Sequence, residues 1–145
     1  MAKSYNADEV TLSLGQTLIE AGFADGEFLR IEQQTEDFVD VVGSDGEVAV
    51  SRTNDRRATI TVLLLQTSDG NDILSALRTL SVQGTGLAGA VALYIRDRNG
   101  RSLYEADTCW IQKPPDVSLD RSATVREWTL RVDRLERVDG GNREA

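Results

Sequence analysis

The sequence predicts a mainly β protein, a β-sandwich or partly closed barrel with one flanking α-helix. Three observations carry that prediction. Residues 58–65 read as one long apolar strand, short alternating segments recur between turn signals, and helical spacing is convincing only over residues 71–81. In the long strand, Ala58, Ile60, Val62 and Leu64 share one face and Thr59, Thr61, Leu63 and Leu65 the other. The second face begins polar and turns apolar, so the strand is expected to pass from half covered to covered on both sides. The run stops at Thr67-Ser68-Asp69-Gly70-Asn71, where Ser68, Asp69 or Asn71 can cap the helix that follows. Ile73, Leu74, Leu77 and Leu80 then form a single apolar stripe.

The remaining elements follow from the same rules. Residues 1–9 are polar and read as an arm. Val10, Leu12 and Leu14 alternate with Thr11 and Ser13 and end at Gly15, which makes a strand. Residues 17–23 give a short second strand before Asp25-Gly26. Residues 28–34 and 38–42 are further strands, and Val48 and Val50 alternate after the Ser44-Asp45-Gly46 turn. Residues 51–57 are polar, and with the preceding turn they suggest a long loop over 43–57. After the helix, residues 91–96 and 103–112 flank Asn99-Gly100, a strong hairpin signal because both positions tolerate positive φ. Pro114-Pro115 ends the return strand. Residues 124–132 form the last long strand, with Trp128, Leu130 and Val132 on one face, and residues 139–145 read as a loose tail. The total is about eight strands and one helix, in a single domain over residues 1–145.

Composition narrows the function. A net charge of −8 and a pI near 4.5 exclude a basic, sequence-independent nucleic-acid binder. Histidine is absent and Cys109 is the only cysteine, which removes the commonest general base, the usual triads and the usual zinc sites. No apolar run approaches the ~20 residues that span a bilayer, and the first ten residues do not form a signal peptide. The expectation is a soluble protein of a reducing cytoplasm. Only Lys3 and Lys113 are lysines among sixteen basic residues. Arginine suits interfaces, and a GC-rich genome gives the same bias.

Each motif with chemical promise has a plainer explanation. Gly84 to Gly89 match GxGxxG, but that fingerprint needs a strand before and a helix after, and here the order is reversed. Nine acids lie between Glu20 and Val50, namely Glu20, Asp25, Glu27, Glu32, Glu36, Asp37, Asp40, Asp45 and Glu47, against Arg30 alone. No loop among them supplies the six or more oxygens calcium requires, and solvated strand faces account for them. A carboxylate pair for glycoside hydrolysis is conceivable, but no row of aromatic residues forms a substrate groove. Trp110 and Trp128 belong to the core or an interface. Cys109 reads as a buried, inert thiol. No catalytic residue, cofactor or metal is assigned.

The order of several segments resembles the small tail-tube proteins of contractile-tailed bacteriophages. The likeness lies in Asn6-Ala7-Asp8, Phe23-Ala24-Asp25-Gly26-Glu27-Phe28 and Gly43-Ser44-Asp45-Gly46-Glu47-Val48. It continues through Asn54 to Ser68 (NDRRATITVLLLQTS) and Asn71 to Leu77 (NDILSAL), so it covers the first 80 residues well and the rest in outline.

That resemblance implies a non-enzymatic subunit forming hexameric rings, stacked into a tube through which DNA passes unbound during ejection. It implies contacts with further copies, with a tail sheath protein and with baseplate or tail terminator proteins. It places the protein in the virion tail after assembly in the host cytoplasm. The 43–57 loop is expected to reach a neighbour, with Asp45, Arg52, Asn54, Arg56 and Arg57 at the subunit interface. Arg30, Glu32 and Asp40 are expected to face the lumen, on strands 28–34 and 38–42. Two alternatives stand beside this: a ring-forming tube protein of a phage-like injection system, and a monomeric β-sandwich binding module.

Overall fold

The structure is a computed structural model that describes residues 2–142. The strands are β1 (Val10–Leu14), β2 (Thr17–Ile19), β3 (Leu29–Gln33), β4 (Phe38–Val42), β5 (Val48–Arg52), β6 (Ala58–Leu65), β7 (Val91–Asp97), β8 (Leu103–Lys113), β9 (Val125–Val132) and β10 (Glu136–Val138). One α-helix, α1 (Gly70–Gln83), joins β6 to β7, and a single 3-10 turn, Ala7–Glu9, precedes β1.

Eight strands form one antiparallel sheet in the order β2-β1-β7-β8-β9-β6-β3, with β10 paired beside β9 on the same edge of β8. The sheet curls around one core. Leu29 and Ile31 of β3 line the same groove as Val10 of β1 and Ile95 of β7. β3 therefore faces β1 and β7 across an open seam, and the sheet is not closed into a barrel, as in a sandwich. Among the described residues β4 and β5 pair only with each other.

The core is made by the alternation read from the sequence. Ala58, Ile60, Val62 and Leu64 are fully buried, and Leu130 and Val132 of β9 join them from across the ladder. On the opposite face of β6 the expected gradient is reversed: Thr61 is buried while Leu65 is exposed. The cause is local, because Thr61 lies mid-sheet between Arg30 and Thr129. Leu65 instead ends the strand beside Val125.

The helix lies over one end of the core. Leu74 is fully buried, and Ile73 and Leu77 pack against the same cluster. Leu80, expected in the stripe, is 55% exposed. Asp69 holds the cap position but makes no side-chain cap bond. Asn71 does more: its amide donates to the carbonyls of Leu65, Gln66 and Ser68, and its Oδ1 accepts Nε1–H of Trp128 at 2.9 Å. One side chain thus ties the strand end, the turn and β9 together. A Cβ at Gly70 would stand 3.0 Å from Leu64 Cδ1 and 3.4 Å from Ile19 Cγ2, so glycine lets the helix start flush on the core.

The Asn99-Gly100 hairpin forms between β7 and β8, but not for the expected reason. Neither residue has positive φ. A Cβ on Gly100 would collide with the carbonyl of Gly141, which arrives from the C-terminal segment, and Gly100 forms an isolated bridge with Asn142. Residues 139–142 are accordingly not a loose tail. Ser102 Oγ donates to the Gly140 carbonyl at 2.9 Å, and Tyr104 Oη donates to Asp139 at 2.7 Å. Residues 143–145 of the expected tail, and Met1 of the arm, lie outside the described residues. Cys109 is buried, and burial pushes its thiol pKa up to about 12.

Candidate assembly surface

The residues expected at an interface gather on one feature. β3 ends at Gln33, and Gln34 and Asp37 stay paired with Arg57 and Thr53 through backbone bonds of 3.1 and 2.8 Å. The ribbon then leaves the sheet as the β4–β5 hairpin. The long loop read over 43–57 is therefore a tight turn, a strand and a short return. The turn closes with Gly43 N–H to the Glu47 carbonyl at 2.7 Å, and Asp45 Oδ1 accepts the Glu47 N–H.

Both faces of this hairpin are bare. Phe38, Val39, Val41, Val42, Val48 and Val50 are each 47 to 62% exposed. The register puts Phe38 opposite Arg52, Asp40 opposite Val50 and Val42 opposite Val48 on one face, with Val39 opposite Ser51 and Val41 opposite Ala49 on the other. The Arg52 guanidinium lies 5.9 Å over the Phe38 ring. The second face carries no charge. A two-stranded hairpin is marginal by itself in water, and exposed apolar patches on this scale mark interaction sites.

The other predicted interface residues hold the hairpin's root. Arg56 Nη1 meets Asp37 Oδ1 at 3.1 Å and also donates to the Thr53 carbonyl. Arg57 grips Asp55 at 2.8 and 2.9 Å. The hydrogen bond from Arg57 holds the Asp55 pKa down at about 2. Within the isolated subunit these arginines find their carboxylates in their own chain. Asn54 is exposed in the return segment.

The predicted lumen residues are not brought together. Arg30 and Glu32 sit on the exposed side of β3, where Arg30 pairs with Glu27 at 3.0 Å and approaches Glu32 at 3.6 Å. The Arg30 hydrogen bond holds the Glu27 carboxyl below its usual value. Asp40 lies on the separate hairpin. All nine acids of residues 20–47 are exposed, and among the described residues no cluster could hold a metal ion.

Sequence reading missed the exposed apolar residues themselves. The available signal was that residues 38–42 and 48–52 put valine on both faces while an acidic turn joined them, a pattern that fits neither a core strand nor a solvated one. It also missed Val117, Leu119 and Val125 at the far end of the molecule, which are exposed as well.

Comparison with known proteins agrees with this architecture. Residues 10–140 match the family described as bacteriophage PhiTE tail tube protein. Structural protein ORF10 of Pseudomonas phage KPP10 is 28% identical over 123 residues, covering 85% of this chain and 71% of that protein. The anti-feeding prophage cap, described as a tube terminating cap, superposes with a TM-score of 0.60 at 12% identity, covering 95% of this chain and 93% of that one. A chain of the sheath–tube complex of the extracellular contractile injection system PVC, in its extended state, gives 0.59 at 14% identity, covering 93% and 91%. At such identities the two structures speak for the fold alone.

Proposed function

The chain belongs to the bacteriophage PhiTE tail tube protein family, and from that premise we propose that it forms stacked, hexameric rings whose bore conducts DNA. The family is structural rather than enzymatic, and as a phage tail protein the chain is a virion component. No helix of the described residues is long and apolar enough to cross a membrane. The observation that carries the proposal is the hairpin: six large apolar side chains stand exposed on a ribbon that nothing else among the described residues covers. A neighbouring copy supplies that cover.

In this reading Arg52, Asn54, Arg56 and Arg57 line or brace the contact, and Asp45 shapes the tip. Arg30, Glu32 and Asp40 face the bore, where the near-neutral Arg30–Glu32 pair gives a polyanion little to hold. A sheath protein, a terminator and a baseplate are the further partners, and assembly takes place in the host cytoplasm. The sheath–tube and tube-cap descriptions of the two structural neighbours favour contractile machinery. The same likeness keeps a phage-like injection system as the second reading.

Specific interfaces bury on the order of 800 Å² per partner, so purified protein should give rings or tubes on negative-stain grids and fast-sedimenting material. A strict monomer up to high concentration overturns the proposal.

A further inference from the structure

We propose that the segment before β1 is a releasable strap over the open seam, and that Asn99, at the tip of the β7–β8 hairpin, is the latch that holds it down. The seam is a groove of about 470 Å³, with Phe28, Leu29 and Ile31 on one side and Val10 and Ile95 on the other. Tyr5 of the strap belongs to the wall of the same groove. β3 ends its sheet there, with no strand beyond it among the described residues. An unpaired edge next to apolar surface invites another chain to add to it unless something covers it. In the free subunit the strap is that cover.

Asn99 holds Asn6 as one strand holds another. Its Oδ1 accepts the Asn6 N–H at 2.8 Å, and its Nδ2 donates to the Asn6 carbonyl at 2.8 Å. Asp97 aims the amide, because its Oδ1 accepts the Asn99 backbone N–H at 3.0 Å and Nδ2–H at 2.7 Å. A carboxamide both donates and accepts in this way, whereas a carboxylate only accepts. On one side of the latch, the Glu9 N–H donates to the Asn6 carbonyl and the Glu9 carbonyl accepts the Arg98 N–H, each at 3.0 Å. On the other side, Asn142 Nδ2 reaches the Ser4 carbonyl at only 3.4 Å.

Little apolar burial reinforces these bonds. Residues 2–8 are exposed, the 3-10 turn holds no buried residue, and Tyr5 is 58% exposed although it walls the groove. Burial begins at Val10, where β1 enters its ladder with β7. That contrast places the hinge. Everything before Val10 is free to leave as a unit with the core intact. A few polar bonds oppose its release, and each is weak on balance because water replaces it.

Asn99→Asp tests the latch. It keeps the size of the side chain, removes the Nδ2 donor and sets a second carboxylate against Asp97. Hydrogen exchange on the full chain should show the Asn6, Glu9 and Arg98 amides exchanging about tenfold faster or more, with those of β6 and β9 unchanged. Trypsin should cut after Lys3 faster by a similar factor, since cleavage follows the open population. Faster exchange at Asn6 alone overturns the strap, because the turn would then stay in place without its latch. Equal exchange at all three amides overturns the latch. A second variant tests the cover: deleting residues 2–6 should leave the Tm near that of the wild type and raise the fluorescence of the apolar-surface dye anilinonaphthalene sulfonate. Wild-type dye binding in the deletion overturns the covering role, and loss of the folded state in either variant overturns a strap separable from the core. None of these outcomes bears on ring formation, which the grids read separately.

Discussion

The β6–β9 ladder and the β4–β5 ladder are built from the same material and meet opposite fates. Both are antiparallel, and both are rich in valine and other apolar residues. In the first, Ala58, Ile60, Val62 and Leu64 are buried against Trp128, Leu130 and Val132. In the second, every residue is exposed. Strand propensity and pairing are the same; what differs is whether the chain itself supplies a second layer. The comparison teaches that valine on a strand states a need for cover without saying who provides it.

The sharpest way to break the comparison is to truncate both ladders. Leu130→Ala in the central ladder should cost about 2–5 kcal/mol, the range for a fully buried leucine, read as a lower denaturant midpoint of the free subunit. If the loss is under about 1 kcal/mol, the central face is not the core.

Asn71→Ala comes next. It strands the Trp128 indole N–H and removes a donor from three carbonyls, so a loss of ~1–3 kcal/mol is expected. Trp128 fluorescence should shift with it. An unchanged melting curve would mean that water or another side chain replaces the amide.

On the hairpin the expectation is inverted. Val41→Ser with Val50→Ser should change subunit stability by no more than about 0.5 kcal/mol, since exposed positions seldom matter more. The same protein should fail to form tubes. A large drop in Tm, or normal tubes, would show that the two ladders are alike after all.

The smallest effect concerns the hairpin's root. Asp55 has its pKa held at about 2 against an ordinary 3.8, first by the Arg57 side-chain bond. Because the folded value is depressed, its contribution is complete above the unfolded value and is lost as pH falls through about 2. Solvent exposure keeps the contribution to stability slight. Carboxyl titration by NMR should find the low midpoint, and Arg57→Ser should return it towards 3.8.

By itself the sequence determined the strand periods, the one helix, the inward faces of β1, β6 and β9, and the likeness to tail-tube proteins. These follow from spacing along the chain. A period of two or of 3.6 is local, and burial of Leu12, Ile60 or Leu130 simply confirms which face was apolar.

Tertiary structure decided what spacing cannot carry. Spacing puts Leu65 on a covered face, yet it stands exposed at the strand's end, opposite exposed Val125. Gly100 answers the approach of Gly141, some 40 residues away, rather than its own turn. Arg56 and Arg57 look free in the sequence, yet they meet Asp37 and Asp55 once the ribbon closes. Whether an apolar strand is interior or interface depends on what lies across from it. Only the folded chain shows that nothing among the described residues lies across from Val39, Val41 and Val50.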